Sequence, residues 1–262
     1  MTKASVALAC AWLFTACAGD ALVPSPAASS PSDAGSTASD APGAQDAAVV
    51  ATGCRPGPGV SGAPTTIEEA RLLVNSLPRP ASVACFLESL DRPLRVSATT
   101  STISLQPAAG PRSPRVFLLS DKLVMSIVMD GKGRNLVEFG QFVTPTRTLK
   151  AEMGFPVVED IQPGVPFERI RSDSATTGTG TSCRFCHPDE TVAPEITTAT
   201  AYVSGAFKPD WRLLVHLDAI RRERQDCDTT LEPERCGLFR ALLDHGEVTE
   251  AAFPAAVPMI TH

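Results

Sequence analysis

The sequence has no excess of basic charge. Lys and Arg total 23 against 29 Asp and Glu, a formal net charge of −6, which excludes binding to nucleic acid or to an anionic membrane surface through a general basic field. Its first apolar stretch, Ala4 to Phe14, runs for eleven residues, too short to span a bilayer, which takes about 20. Nothing resembles a Ser-His-Asp set, a phosphate loop, an HExxH helix or a Rossmann glycine pattern, so no separate catalytic centre is supported. What remains is an ordinary composition, 262 residues with 43% apolar. That is enough for one large domain or two small ones with a packed core.

The start of the chain reads as a targeting signal. Lys3 gives a small positive n-region, and Ala4 to Phe14 has the length of a signal-peptide h-region. Next comes Leu13-Phe14-Thr15-Ala16-Cys17. This resembles the lipobox of bacterial lipoproteins, with Phe14 where that family usually has Leu. The resemblance implies removal of 1–16, acylation of Cys17 and anchoring of the protein to a membrane through lipid. A soluble product is the other reading, with Ala16-Cys17-Ala18 as a small-x-small cleavage site. From Ala18 to about Val50 the chain is nearly all Ala, Ser, Pro, Gly, Thr and Asp. Such a segment buries too little surface to offset its ordering entropy, so 17–53 reads as a flexible tether.

Eight cysteines sit at 10, 17, 54, 85, 183, 186, 227 and 236. Cys10 leaves with the signal segment and Cys17 is the lipid acceptor. Export to an oxidising compartment leaves Cys54, Cys85, Cys227 and Cys236 as disulfide candidates, apart from the close pair at 183 and 186. Four cysteines allow three connectivities. Cys54–Cys85 and Cys227–Cys236 are favoured because each brackets a local segment that a bridge can close. The shorter loop would gain roughly 2–3 kcal/mol from its bridge.

Thr66-Ile67-Glu68-Glu69 reads as a capping box that opens a helix to about Leu77, stopped by Pro78 and Pro80. A second short helix runs from Ser82 to Leu90. Alternating apolar positions then predict strands: one from Leu94, one over 115–120, a hairpin of 122–129 with 134–143 across Asp130-Gly131-Lys132-Gly133, and one over 148–158. Residues 172–182 read as a Gly/Thr/Ser loop. A helix is expected over 209–225, another over 233–244, and one more turn over 248–253. The expected fold class is α+β, a small antiparallel sheet flanked by helices. Residues 54–175 form its helix-plus-sheet region, and 176–262 form a helical region.

The chemistry concentrates in Cys183-Arg184-Phe185-Cys186-His187. Cysteines at i and i+3 on a tight helical turn reach two groups of one ring, and a His at i+4 lies over its metal. The pentapeptide resembles the haem-attachment motif of c-type cytochromes. That resemblance implies one haem c, with thioethers from Cys183 and Cys186 and His187 as proximal iron ligand. It covers five residues only, and a loop precedes the motif where small cytochromes carry a helix, so their fold is not implied. Three other readings of the motif stand: a plain Cys183–Cys186 disulfide, a thioredoxin-like redox pair, and a zinc site with a distant fourth ligand. For the sixth iron position the candidates are Met259, His216 on the apolar side of the 209–225 helix, and no protein ligand at all.

These expectations combine into an exported lipoprotein of the cell envelope, facing the periplasm or the cell exterior. Its single haem would exchange electrons with a redox partner protein while the tether sets its reach. The alternative is a non-redox surface lipoprotein in which the motif closes a loop as a disulfide. A haem enzyme such as a peroxidase is a third reading, although the familiar bacterial dihaem peroxidases carry two such motifs.

Overall fold

Helix α1 (Ile67–Ser76) begins where Thr66 accepts the Glu69 N–H on its hydroxyl at 3.1 Å. The Glu69 carboxylate turns back to take the Thr65 N–H at 2.7 Å and the Thr65 hydroxyl at 2.9 Å. The reciprocal cap therefore forms one residue earlier than a strict capping box. Helix α2 (Val83–Glu88) is capped in the same way by Ser82. These elements belong to a computed structural model that describes residues 53–174 and 178–260. The signal segment, Cys17, the tether up to residue 52 and His262 lie outside the described residues.

A single sheet organises the rest. Its strands are β1 (Leu94–Thr99), β2 (Arg115–Leu119), β3 (Leu123–Val128), β4 (Leu136–Thr144), β5 (Arg147–Gly154), β8 (Thr191–Val192), β9 (Tyr202–Gly205) and β10 (Val248–Glu250). They lie in the order β10-β1-β2-β3-β4-β5-β9-β8. Between β5 and β8 come a short helix α3 (Val165–Glu168) and a separate two-stranded ribbon of β6 (Arg171–Ser174) and β7 (Gly178–Thr181). Helices α4 (Leu217–Gln225) and α5 (Pro233–Leu243) precede β10.

The α+β class holds, but the sheet is neither small nor purely antiparallel. It has eight strands, and β10 runs parallel to β1. Strands on both sides of residue 175 share it, since β9 pairs with β5. The C-terminal region is thus not simply helical. The expected turn over 248–253 is a strand because Val248 to Glu250 pair with the exposed edge of β1.

The expected helix over 209–225 is broken for a similar reason. The Thr100 N–H donates to Leu213 O at 2.8 Å and the Val215 N–H donates to Ala98 O at 2.9 Å. Edge pairing with β1 therefore takes the backbone groups that a continuous helix would use. A 3-10 turn at Trp211–Leu213 and then α4 are what remain.

Strand alternation gives the sheet two different faces. Val116, Leu118, Met125, Ile127, Val137, Leu149, Ala151 and Met153 point toward Ile67, Leu73, Phe86, Phe239 and Leu242 of the helices and make one buried core. Fully burying rings such as Phe86 and Phe239 contributes about 1.5–3 kcal/mol each. Arg92 ties the helices together, donating to Leu242 O at 2.7 Å and Ala241 O at 2.8 Å at the open end of α5. The opposite face carries Phe117, Ser126, Glu138, Gly140, Phe142, Thr148, Lys150 and Glu152, and these floor a cleft.

The Sγ atoms of Cys54 and Cys85 lie at disulfide distance, as do those of Cys227 and Cys236. No helix among the described residues is long and apolar enough to cross a membrane.

Candidate functional site

The Cys183–His187 motif sits on one 3-10 turn, Ser182–Phe185, entered from β7. The expected Gly/Thr/Ser loop is, in its described residues, the β6–β7 ribbon, which delivers the turn at a fixed place. The Ser182 N–H donates to Ile170 O at 2.8 Å, and Thr181 caps the turn by accepting the Cys183 N–H at 3.1 Å. Glu190 holds Thr181 from beyond the motif, taking its N–H at 2.9 Å and its hydroxyl as well. Gly180 allows that approach: a Cβ there would lie 2.6 Å from the Glu190 carboxylate. Arg147, at the start of β5, donates to Asp189 O, Thr191 Oγ1 and Val203 O, so the chain leaving the motif is pinned to the sheet edge.

Within the turn, the Cys186 and His187 N–H groups both donate to Cys183 O, at 3.1 and 2.9 Å. That closes the turn and sets Cys183, Cys186 and His187 along the wall of one cleft. Its floor is the polar sheet face. Ile103, Leu105, Phe207, Phe253, Val257 and Ile260 add apolar walls.

His187 is held from two sides. Its Nδ1–H donates to Gly205 O at 2.7 Å, and its ring lies 5.6 Å from that of Phe207. The carbonyl fixes the proton on Nδ1, so Nε2 keeps its lone pair and has no hydrogen-bond partner among the described residues. Lys150 Nζ lies 3.4 Å from the same Nδ1. Two donors thus face each other in a buried place. Burial, reinforced by the Lys150 charge, lowers the His187 pKa to about 3, so the imidazole is neutral across the physiological range. Burial also lowers Lys150 to about 8.

The floor carries two ion pairs, Arg115–Glu138 at 2.5 Å and Arg169–Glu152 at 2.6 Å. Among the described residues, Lys150 has no carboxylate within ion-pair distance. Sequence reasoning assigned none of these floor residues a role. The available signal was the polar alternation Thr148-x-Lys150-x-Glu152 between the apolar Leu149, Ala151 and Met153. The Gly205 carbonyl, a backbone group, has no such signal.

The two thiols are free and half-buried. Burial pushes Cys183 up to about 11 and raises Cys186 as well. A catalytic redox pair is favoured by the opposite shift, toward the thiolate, and burial works against it here. A zinc site would need a fourth ligand beside the motif. Among the described residues the only cluster of three or more potential ligands is Cys227, Glu232 and Cys236, whose two sulfurs are joined to each other.

The other residues expected near the iron lie elsewhere. His216 is the N-cap of α4, with its side chain 85% exposed and Nδ1 3.2 Å from Glu250. It is not on a buried helix face. Met259 lies in the final segment, bridged to Lys208; Val257 and Ile260 on either side of it line the cleft, and Met259 does not. No protein-family model matches this chain, and no curated protein or solved structure does.

Proposed function

We propose that this protein is an exported lipoprotein whose cleft holds one covalent c-type haem, through which it exchanges electrons with a partner protein in the cell envelope. The observation that carries the reading is His187. Its Nδ1–H is committed to Gly205 O, so Nε2 is the lone pair on offer, in the way metal-binding histidines are set by a second contact. Two free thiols three residues apart lie on the same turn, beside an apolar wall suited to a porphyrin face. The donor set therefore fits the group. Cys183 and Cys186 would hold it, His187 would ligate its iron, and the bound haem would supply one-electron chemistry.

The chain's own part is to orient the ligand. Gly205 and Phe207 fix the imidazole plane. The Arg115–Glu138 pair and the buried Lys150 would set the electrostatic field around a bound haem. Acylated Cys17 and the 17–53 tether would give this domain its reach from the membrane.

The test is expression with cytochrome c maturation functions present, followed by a visible spectrum of the purified protein and haem staining of a denaturing gel. Covalently retained haem is expected. A colourless product would overturn the reading and favour the non-redox lipoprotein with a Cys183–Cys186 disulfide.

A further inference from the structure

The second axial position of such an iron needs a His, a Met or no protein ligand, and this chain has few of either residue. It contains five Met and four His. Met1 and His262 lie outside the described residues. Met125, Met129 and Met153 are buried at 5%, 0% and 1% exposure. Met125 pairs across the sheet with Leu118 and Phe139, and Met153 pairs with Val137. By alternation these place Met125 and Met153 on the helix side of the sheet. The sheet itself stands between them and the cleft floored by Ser126, Glu138, Lys150 and Glu152.

The remaining histidines are engaged elsewhere. His216 is solvent-facing beside Glu250, and His245 lies 3.6 Å from Glu88 of α2. Met259 has its backbone beside Lys208, and its flanking residues Val257 and Ile260, not Met259 itself, form the cleft wall. Among the described residues, His187 is the only His or Met that lines the cleft.

We propose, resting on the haem reading above, that the protein gives the iron a single axial ligand, His187, and leaves the opposite side open to a small exogenous ligand. The apolar wall suits a small ligand such as carbon monoxide or nitric oxide. Ile103, Phe117, Phe142, Phe253, Val257 and Ile260 supply apolar wall. The Arg115 charge is already met by Glu138, and Lys150 stands at Nδ1 of the proximal imidazole. Lys208 also lines the cleft, with no ion pair among the described residues, so charge alone does not select against an anion.

The experiment uses the full-length holoprotein, with the anchor retained in detergent. Its resonance Raman and visible spectra are recorded before and after addition of carbon monoxide to the reduced form, for wild type, Met259→Ala and His262→Ala. A five-coordinate high-spin spectrum that both variants leave unchanged, with a full shift on carbon monoxide, is expected. A six-coordinate low-spin spectrum unresponsive to carbon monoxide would overturn the proposal. So would a shift from low to high spin in either variant, which would name the missing ligand. Protein without covalent haem on the denaturing gel would instead overturn the haem reading itself, and the gel separates that outcome from the others.

Discussion

His187 Nδ1 lies 2.7 Å from the carbonyl oxygen of Gly205, at the end of β9. A carbonyl oxygen accepts only, so the imidazole is the donor and its tautomer is decided by a backbone group 18 residues further along the chain. In protein made without haem, nitrogen-15 NMR of the imidazole is expected to show a proton on Nδ1 and a bare Nε2. The reverse tautomer would mean that the ring is not held by Gly205.

Arg235 is the most heavily committed buried charge outside the cleft. Its side chain is 4% exposed, and the guanidinium donates to Glu223 at 2.6 Å, Glu232 at 2.7 Å, Ser113 Oγ at 2.9 Å and Arg112 O. It joins α4, α5 and the loop before β2. Arg235→Ala is expected to cost about 3 kcal/mol in denaturant unfolding, because it strands partners that are themselves partly buried. Arg235→Lys should recover only part of this, since an ammonium cannot reproduce the planar set of donors. A loss within about 0.5 kcal/mol for the alanine variant would contradict the network.

Glu69 makes stability depend on pH at the acid end. Its bonds from the Thr65 N–H and hydroxyl hold the carboxyl below its ordinary value. A depressed folded-state pKa means that the unfolded chain binds the proton more readily. The contribution is therefore complete above the ordinary carboxylate range and is lost as pH falls through the folded value. Glu69→Gln should flatten the acid limb of the stability curve and leave the neutral region little changed. An identical acid limb in the two proteins would remove Glu69 from the account.

Cys17→Ser is expected to move the protein from the membrane fraction to the soluble one, as loss of an acyl anchor requires. Membrane association that persists in this variant would count against acylation at Cys17.

Much of the framework could be read from local pattern. The starts of α1 and α2, the strands from Leu94 to Gly154 and the turn over 130–133 follow from caps, alternation and Gly placement. What escaped reading was set by long-range pairing. Val248 to Glu250 look locally like another helical turn, and they become a strand only because β1 offers an unpaired edge. The segment around Leu213 shows an amphipathic period, yet its backbone joins β1.

The candidate site divides in the same way. Cys183, Cys186 and His187 are visible as a spacing, because their geometry lies within one turn. The floor residues Glu138, Lys150 and Glu152 meet them only through sheet register, and Gly205 acts through a carbonyl that every residue possesses.

The central claim is covalent haem on the Cys183–His187 turn. Its most direct test is a haem-stained denaturing gel comparing wild type with the Cys183→Ser, Cys186→Ser double variant, both made with the maturation functions present. Stain at the position of the wild-type protein and none for an equally abundant double variant is the result expected. An unstained wild-type band, or equal stain in both, would contradict the claim.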